Sequence, residues 1–296
     1  MKLDNKEFGF DNFSAEMAKL KNDQHFDYLV TIVGEDFGEE GLGCIYILEN
    51  TKNHERISVK QIAKKVGETD YVIPSVIKLW HDADLLEREV FDFLGIKFLG
   101  HPDMRRLFLR NDFEGYPLRK DFDMSPEHNR FPMTDEPESD WTSEWNLNQF
   151  GELVETKHRL FDTDDFVMNF GPNHPSMHGV LRLQTVVNGE TVKRIYPHLG
   201  YIHRGIEKMM ENMTYPQTLA LTDRLNYLCA MTNRHALVGV IEEAMGVELS
   251  DRIKYIRTIM DELQRIDNHL LFLGTCAQDL SALTAFLYCM RDREHV

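Results

Sequence analysis

The sequence predicts an α+β protein with two domains. Its 296 residues are enough for two ordinary domains that each bury a core of their own. Residues 28–60 have strand character, residues 75–93 follow a helical pattern, and residues 251–273 carry an apolar stripe at helical spacing. We therefore expect a small α+β domain, then a β-hairpin region, and then a helical bundle.

The first predicted domain covers residues 1–122. Its segments YLVTIV, CIYILEN and ERISVKQI partly alternate between apolar and polar residues and are interrupted by the turn-rich GEDFGEEGLG. This pattern is typical of an antiparallel meander. Ser75 is a candidate N-cap for a helix that continues to Phe93, because apolar residues recur there at helical spacing.

An acidic linker is predicted over residues 123–160. Residues 123–152 contain eight acidic side chains against one arginine, and three prolines interrupt any helix. Its large aromatic residues Phe131, Trp141 and Trp145 are unusual for a solvated tether. We therefore expect the linker to lie along a partner or along the second domain.

The second predicted domain covers residues 161–296. It opens with the strand-like segments DFVMNF and VLRLQTVV, which are joined across the turn GPNHPSMHG and followed by a hairpin predicted in NGETVKRIYP. Residues 251–273 predict a bundle helix whose stripe faces the core. The stripe consists of Ile253, Ile256, Met260, Leu263, Ile266, Leu270 and Leu273.

One apolar segment, residues 270–290, has the length of a bilayer span. Asp279 lies in its middle, and a central carboxylate is costly in lipid. A helix buried in a protein bundle is therefore the better interpretation of this segment.

Composition argues against several classes of function. The chain has 49 acidic and 33 basic residues and a formal charge of −16, whereas a nucleic-acid groove needs concentrated positive charge. Its four cysteines are scattered without a CxxC pair, so we predict no metal ligated by this chain. The start MKLDNKEFGFDNF lacks the apolar region of a signal peptide, which predicts a reducing compartment. The cysteines are Cys44, Cys229, Cys276 and Cys289.

Long motifs from both halves carry a family resemblance. In the second half, four motifs resemble the D subunit of the proton-pumping NADH:quinone oxidoreductase, respiratory complex I: GPNHPSMHGVLRL (171–183), YPHLGYIHRGIEKMME (196–211), TDRLNYL (222–228) and DELQRIDNHLLFLGTCAQDL (261–280). In the first half, EREVFDFLGIKFLGHPDMRRL (87–107) and DFEGYPLRKDF (112–122) resemble the C subunit. The chain therefore resembles a C–D fusion. Because the D family extends further, we expect a fragment.

The resemblance implies a peripheral-arm protein that contacts the B subunit, other peripheral-arm subunits and the membrane-arm subunits. Quinone would be the substrate, reduced by electrons from an iron–sulfur cluster in the B subunit and coupled to proton translocation. NADH and flavin would bind other subunits, and no cofactor would bind this chain. The expected location is peripheral, on the cytoplasmic side of the bacterial inner membrane. The helical bundle would be related to the nickel–iron hydrogenase large subunit.

The resemblance also assigns the quinone-site residues. His178 matches the histidine at the inner end of the quinone channel, and Tyr227 matches the quinone-binding tyrosine. These two side chains supply one hydrogen-bond donor for each quinone carbonyl. Asp279 matches the carboxylate that the family pairs with this histidine, so their protonation would be coupled. Without the resemblance, His178 is a turn histidine and Tyr227 is a core residue.

Further positions follow from the same comparison. Arg204 matches an arginine near the terminal cluster of the B subunit, while its ordinary interpretation is a salt bridge to Glu207. His174 is expected either to shape its turn or to line the channel. Asn226 departs from the family, which usually has an aspartate there. The charged motifs of the first domain resemble sites of contact between subunits rather than a catalytic set.

Two other functions compete. RGIE resembles the RGxE motif of a membrane-bound nickel–iron hydrogenase large subunit, but that enzyme needs two CxxC pairs for its metals, and here Asn226 precedes Cys229 by three residues. A purely structural scaffold between the peripheral and membrane arms is the other alternative. We prefer the metal-free quinone site and expect the isolated chain to be inactive.

Overall fold

The computed structural model describes residues 4–125, 141–161, 166–174 and 179–296, and these separate into two units. The first consists of Met1–Asn173 and Val180–His203, and the second of His174–Gly179 and Arg204–Val296. Strands are found in the first unit and helices dominate the second. The mixed α+β class is therefore confirmed.

The first unit is built on a four-stranded sheet with the order β1-β4-β3-β2. Its strands β2, β3 and β4 pair antiparallel, as the meander prediction required, and β1 joins β4 in parallel. Helix α1 lies between β1 and β2 in the chain. The bounds are β1 (Asp4–Glu7), α1 (Phe13–Asn22), β2 (Tyr28–Asp36), β3 (Leu42–Asn50) and β4 (Glu55–Ile62).

The core of this unit forms where helices cover the sheet. Phe13 of α1 packs against Tyr46 of β3 with ring centroids 5.3 Å apart, and both residues are fully buried. Gly34 of β2 lies against the next helix, since a Cβ at this position would be 2.6 Å from Leu94 Cδ1. The glycine therefore allows the helix to approach the strand.

That next helix, α2, spans Ala83–Leu94 and ends at Gly95 in a left-handed conformation. The helix was predicted to begin at Ser75, but it begins about two turns later, at Ala83. The Ser75 hydroxyl donates a hydrogen bond to Glu87 at 2.6 Å and accepts one from the Ile77 amide, so it fixes a turn instead of capping a helix. Three short strands flank α2 in the chain and form a sheet of order β5-β6-β7: β5 (Lys64–Val66), β6 (Asp70–Pro74) and β7 (Ile96–Leu99).

A hairpin, β8 (Trp141–Leu147) and β9 (Leu153–Arg159), occupies the described end of the stretch predicted as an acidic linker. Lys97 Nζ lies 3.7 Å from the centroid of the Trp145 ring, and the Gly100 amide donates a hydrogen bond to the Trp145 carbonyl. These contacts make the hairpin part of the first unit rather than a tether. Phe131 lies outside the described residues.

The second three-stranded sheet contains β10 (Phe166–Phe170), β11 (Arg182–Asn188) and β12 (Thr191–His198), all antiparallel. This confirms the predicted pairing across the histidine-containing turn and the hairpin that follows. The sheet belongs to the first unit, so the division into compact units does not follow the division at residues 122 and 160. That sequence-based division stays a prediction about the two parts that resemble different subunits.

Gly200, just after β12, is expected to be intolerant of a side chain. Its φ is +96°, and a Cβ would lie 2.1 Å from the Phe108 carbonyl oxygen. Gly200→Ala should therefore lower the unfolding free energy of the first unit by about 2 kcal/mol or more. Chemical denaturation of Gly9→Ala provides the control, because nothing lies within 4 Å of a Cβ at Gly9. Equal midpoints for the two variants would contradict the prediction.

The described part of the second unit contains five helices. Helix α6 contacts α5 and α7, yet its predicted core-facing stripe is exposed at every position except Leu270, which is half-buried. The helix was predicted correctly and its burial was not, because periodicity marks an apolar face but not what covers it. The bounds are α3 (Ile206–Met210), α4 (Tyr215–Thr222), α5 (Ala230–Met245), α6 (Asp251–Asp279) and α7 (Leu283–Arg293).

The apolar segment 270–290 is interrupted rather than continuous. Helix α6 ends at Asp279, Ser281 has a φ of +65°, and α7 starts at Leu283. Gly274 is the buried residue of α6, and α7 has none, so the predicted buried helix was wrong. Among the described residues, no helix has both the length and the apolar character needed to cross a membrane.

Candidate functional site

The turn that carries Tyr227 joins α4 to α5 and is anchored to both neighbouring helices. The Asn233 side-chain amide donates hydrogen bonds to the carbonyls of Thr222 at 3.2 Å and Asn226 at 3.0 Å. The Asn268 amide of α6 contacts Cys229 Sγ at 2.9 Å. Backbone groups in the turn are thus satisfied by side chains, which holds its conformation.

Side chains also tie the start of α5 to α6. Gln264 Oε1 accepts hydrogen bonds from the amides of Met231 at 2.8 Å and Thr232 at 3.3 Å. These N–H groups belong to the first turn of a helix, where no intrahelical acceptor exists. An ion pair between Arg234 and Asp223 adds a link from α5 back to the turn. The turn is therefore positioned by the α5–α6 pair.

Charged contacts continue along the α5–α6 interface. Arg257 donates two hydrogen bonds of 2.7 Å to the Glu242 carboxylate, and this bidentate contact lowers the pKa of Glu242. His235 Nδ1 lies 2.5 Å from Asp261 Oδ2. Paired side chains of this kind fix the register of the two helices.

Tyr227 presents its ring to the surface of the second unit. The side chain is 63% exposed although its backbone is held on an anchored turn. Tyr215 and Tyr255 of the same unit are also exposed, at 70% and 72%. The arrangement suits contact between the phenol and a ligand or partner.

Asn226, at the position where the resemblance predicts an aspartate, takes part in this turn. Its Oδ1 accepts a hydrogen bond from the Leu228 amide at 3.3 Å. A neutral amide oxygen can stabilise the turn in the same way as a carboxylate oxygen, though without the charge. The substitution is therefore compatible with the position of Tyr227.

Asp279 is the last residue of α6, where the chain bends towards α7. Its side chain is exposed rather than buried in an apolar helix. A carboxylate at a helix C-terminus meets the negative end of the helix dipole, which is unfavourable.

Arg204 lies just before α3 and is exposed. Within the described parts of the chain no ion pair joins it to Glu207, the partner that the ordinary interpretation predicted. Lys208 pairs with Glu211 at 3.1 Å instead. The Arg204 guanidinium is thus accessible to groups outside this unit.

The histidine turn is described only in part. His178 lies within residues 175–178, outside the described residues, while His174 is half-buried. His174 and Gly179, which flank that gap, group with the second unit, as do Arg204, Tyr227 and Asp279. Over the described range, no hydrogen bond joins Tyr227 to Asp279 or to Arg204. His174, Arg204, Tyr227 and Asp279 thus belong to one unit.

The cysteines and other potential metal ligands are dispersed. No group of three or more histidine, cysteine, aspartate or glutamate side chains arranged to hold a metal ion occurs in the parts of the chain that the structure describes. The four cysteines are free thiols, with Cys44 buried.

The charged motifs of the first half are partly buried. Glu87, Arg88, Asp92 and His101 lie within the core of the first unit, whereas Glu114 and Lys120 are exposed, so a contact between subunits at these motifs stays a prediction. His101 Nδ1 accepts a hydrogen bond from the Asp103 amide at 3.0 Å, and its Nε2 lies 3.2 Å from the Asp84 carbonyl oxygen. The buried residues of these motifs thus take part in an internal polar network.

Comparison with known proteins accounts for both halves of the chain. Residues 10–128 match the family model of the respiratory-chain NADH dehydrogenase, 30 Kd subunit. The C/D subunit of the NADH-quinone oxidoreductase of Phocaeicola vulgatus is 53% identical over 281 residues, covering 95% of this chain and 53% of the relative. The chain is thus similar to the C/D subunits of NADH-quinone oxidoreductases along both of its halves.

Other C/D subunits are also similar to this chain, at different sequence identities. The protein of Bacteroides thetaiotaomicron is 52% identical over 291 residues, with 95% of this chain and 54% of the relative covered. The C/D 2 subunit of Aquifex aeolicus is 40% identical over 293 residues, with 94% and 49% covered. The chain thus spans about half the length of the C/D relatives it matches.

Proposed function

We propose that this C/D homologue acts in the peripheral arm of an NADH:quinone oxidoreductase and that its second unit forms a quinone-reduction site together with a B subunit. The similarity to C/D subunits along both halves of the chain is the observation that carries this proposal. The anchored turn with an exposed Tyr227 ring supports it further, because a substrate-binding phenol must be both held and accessible.

The proposed chemistry assigns one quinone carbonyl to each of two donors. The Tyr227 hydroxyl donates a hydrogen bond to one oxygen, and His178 donates to the other. Reduction of a quinone to a quinol consumes two electrons and two protons, so donors at both oxygens stabilise the negative charge that develops there. The electrons would come from an iron–sulfur cluster held by the partner, and NADH and flavin would bind elsewhere in the assembly.

Two further side chains have supporting roles in the proposal. Asp279 pairs with His178, and their coupled protonation replenishes the proton donor after reduction. Arg204 lies towards the partner's cluster, where a fixed cation favours the more negative reduced state. His174 either shapes its turn or lines the channel.

The proposal also covers location and relationship. The complete enzyme would sit on the cytoplasmic side of the bacterial inner membrane, where membrane-arm subunits couple the reaction to proton translocation. The helical second unit would share its fold with the nickel–iron hydrogenase large subunit. The chain itself would ligate no metal.

The proposal predicts loss of quinone reduction on removal of either donor in the assembled enzyme. Tyr227→Phe and His178→Ala should each lower the rate about 100-fold or more, as expected for loss of a donor to a developing oxyanion. Electron transfer from NADH to an artificial acceptor that reacts upstream of the cluster should remain normal. The measurement compares both rates in complexes that contain equal amounts of every subunit.

Tyr215→Phe is the matched control, because this tyrosine is 70% exposed in the same unit. Its quinone reduction should equal that of the parent. Parental rates in both Tyr227→Phe and His178→Ala, with assembly intact, would rule out the quinone-site role. The scaffold interpretation would then explain how the chain serves the complex without chemistry of its own.

A further inference from the structure

A cavity of about 340 Å³ lies within the first unit, and none of its lining residues is a quinone-site candidate. One wall comes from the segment after β7, and the other comes from β11, β12 and the residues that follow β12. Five arginines and a histidine contribute to its lining: Arg88, Arg105, Arg106, Arg110, Arg182 and His198.

The lining is cationic in a strongly acidic chain. Among the described residues that line the cavity there is no aspartate or glutamate, although the chain carries a formal charge of −16. Five guanidinium groups contribute to one lining, and three of them also pair with carboxylates outside it: Arg105, Arg106 and Arg110. A concave lining with five cations and no anion of its own focuses positive potential.

Carboxylates outside the lining hold three of these guanidinium groups in place, and Asp92 pairs with Arg106 at 2.9 Å. Asp103 binds Arg105 through two hydrogen bonds of 2.8 and 2.6 Å, and Asp112 binds Arg110 through two of 2.9 and 2.8 Å. Bidentate pairs of this kind fix the guanidinium plane. The arginines are therefore pre-organised, which reduces the entropy lost when they bind an anion.

Arg88 gives the strongest reason to expect an anion. Its side chain is buried, yet the carboxylate paired with it, Asp103, is 3.9 Å away and already binds Arg105. Its Nε and Nη2 instead donate to the carbonyls of Arg105 and Arg106. Burial lowers the pKa of Arg88, although Asp103, Asp84 and Asp92 each act to raise it.

We infer that this cavity binds a doubly charged oxyanion of the phosphate class, either as inorganic phosphate or as a phosphomonoester. Several guanidinium forks match the multiple oxygens of a phosphate better than they match a single carboxylate. The volume exceeds what inorganic phosphate needs and leaves room for a small ester group beside Tyr201, which also lines the cavity. None of the proposed quinone ligands takes part in this binding.

The test is calorimetric titration of the full chain at pH 8 and constant ionic strength with inorganic phosphate, glycerol phosphate and succinate. We expect saturable binding of phosphate or glycerol phosphate, with the tighter of the two identifying the natural form. Arg110→Gln and Arg182→Gln should each weaken this binding at least about tenfold, as expected for loss of a charge-assisted hydrogen bond.

Arg56→Gln is the matched control, because Arg56 pairs with Glu49 on the same unit outside the cavity and this variant should bind phosphate as the parent does. Three results would overturn the inference: no saturable binding by the parent, equal affinity in the cavity variants and parent, or succinate binding as tightly as phosphate. If the variants misfold, site-resolved phenylglyoxal modification of arginines in the parent tests phosphate binding instead. Phosphate should then protect Arg110 and Arg182 but not Arg56, and equal modification with and without phosphate would overturn the inference.

Discussion

Asp92→Ala is expected to lower the unfolding free energy of the first unit by about 3–5 kcal/mol. Asp92 is fully buried, and its Oδ2 accepts hydrogen bonds from the amides of Leu107, Phe108 and Leu109 at 2.7 to 3.0 Å. Its Oδ1 pairs with Arg106 at 2.9 Å. Removal of the carboxylate leaves three amides and part of a guanidinium without their acceptor.

The measurement is urea unfolding followed by tryptophan fluorescence. All three tryptophans, Trp80, Trp141 and Trp145, belong to the first unit, so the signal reports that unit even in the full chain. Asp112→Asn is the control, since its partly exposed pair with Arg110 should contribute little. A loss of unfolding free energy below about 1 kcal/mol for Asp92→Ala is comparable to one ordinary hydrogen bond. Such a result would show that the segment 107–109 does not depend on this carboxylate.

Alternation and turn residues predicted much of the first unit. The meander of β2, β3 and β4 follows from local patterning, because alternate residues of a strand face opposite sides of the sheet. The buried roles of Glu87 and Asp92 could not be predicted in this way. Charged residues on a helix ordinarily indicate a solvated face, and the partners of these two carboxylates come from other segments, such as residues 75–76 and 106–109.

The candidate site was predicted from family resemblance rather than from local pattern. The structure adds what sequence could not supply for Tyr227: an anchored turn, with contacts from Asn233 and Asn268 that arise only when α5 and α6 pack. The arginine cavity was missed because Arg105 and Arg182 are far apart in sequence and meet only in the folded unit. A signal was present in MRRLFLR, whose first arginines were interpreted as part of a contact between subunits.

Glu87→Gln is expected to remove a pH-dependent loss of stability. Burial raises the pKa of Glu87 from 4.5 to about 7. The unfolded chain therefore releases this proton near pH 4.5, whereas the folded unit retains it until about pH 7. Between these values the folded state binds more protons, so parental stability falls as pH rises, by about 3 kcal/mol in total.

The glutamine variant should lack this decline because its amide does not titrate. The difference between its unfolding free energy and that of the parent should therefore increase in favour of the variant from pH 4.5 to about 7. Tryptophan-detected unfolding across this range measures the difference, in which groups common to both proteins cancel. Val59→Ala, a neutral truncation in the same core, should differ from the parent by a constant amount. A constant difference for Glu87→Gln as well would mean that the carboxyl is ionised throughout.

The contrast with Asp92 explains why two buried carboxylates of one helix have opposite expected effects at neutral pH. Asp92 accepts three amide hydrogen bonds and pairs with a guanidinium, which compensate its burial. Glu87 accepts hydrogen bonds from the Ser75 hydroxyl and the Val76 amide, and His101 Nε2 is 4.0 Å away. Two neutral donors do not replace the hydration of a carboxylate, so the ionised form of Glu87 destabilises the unit.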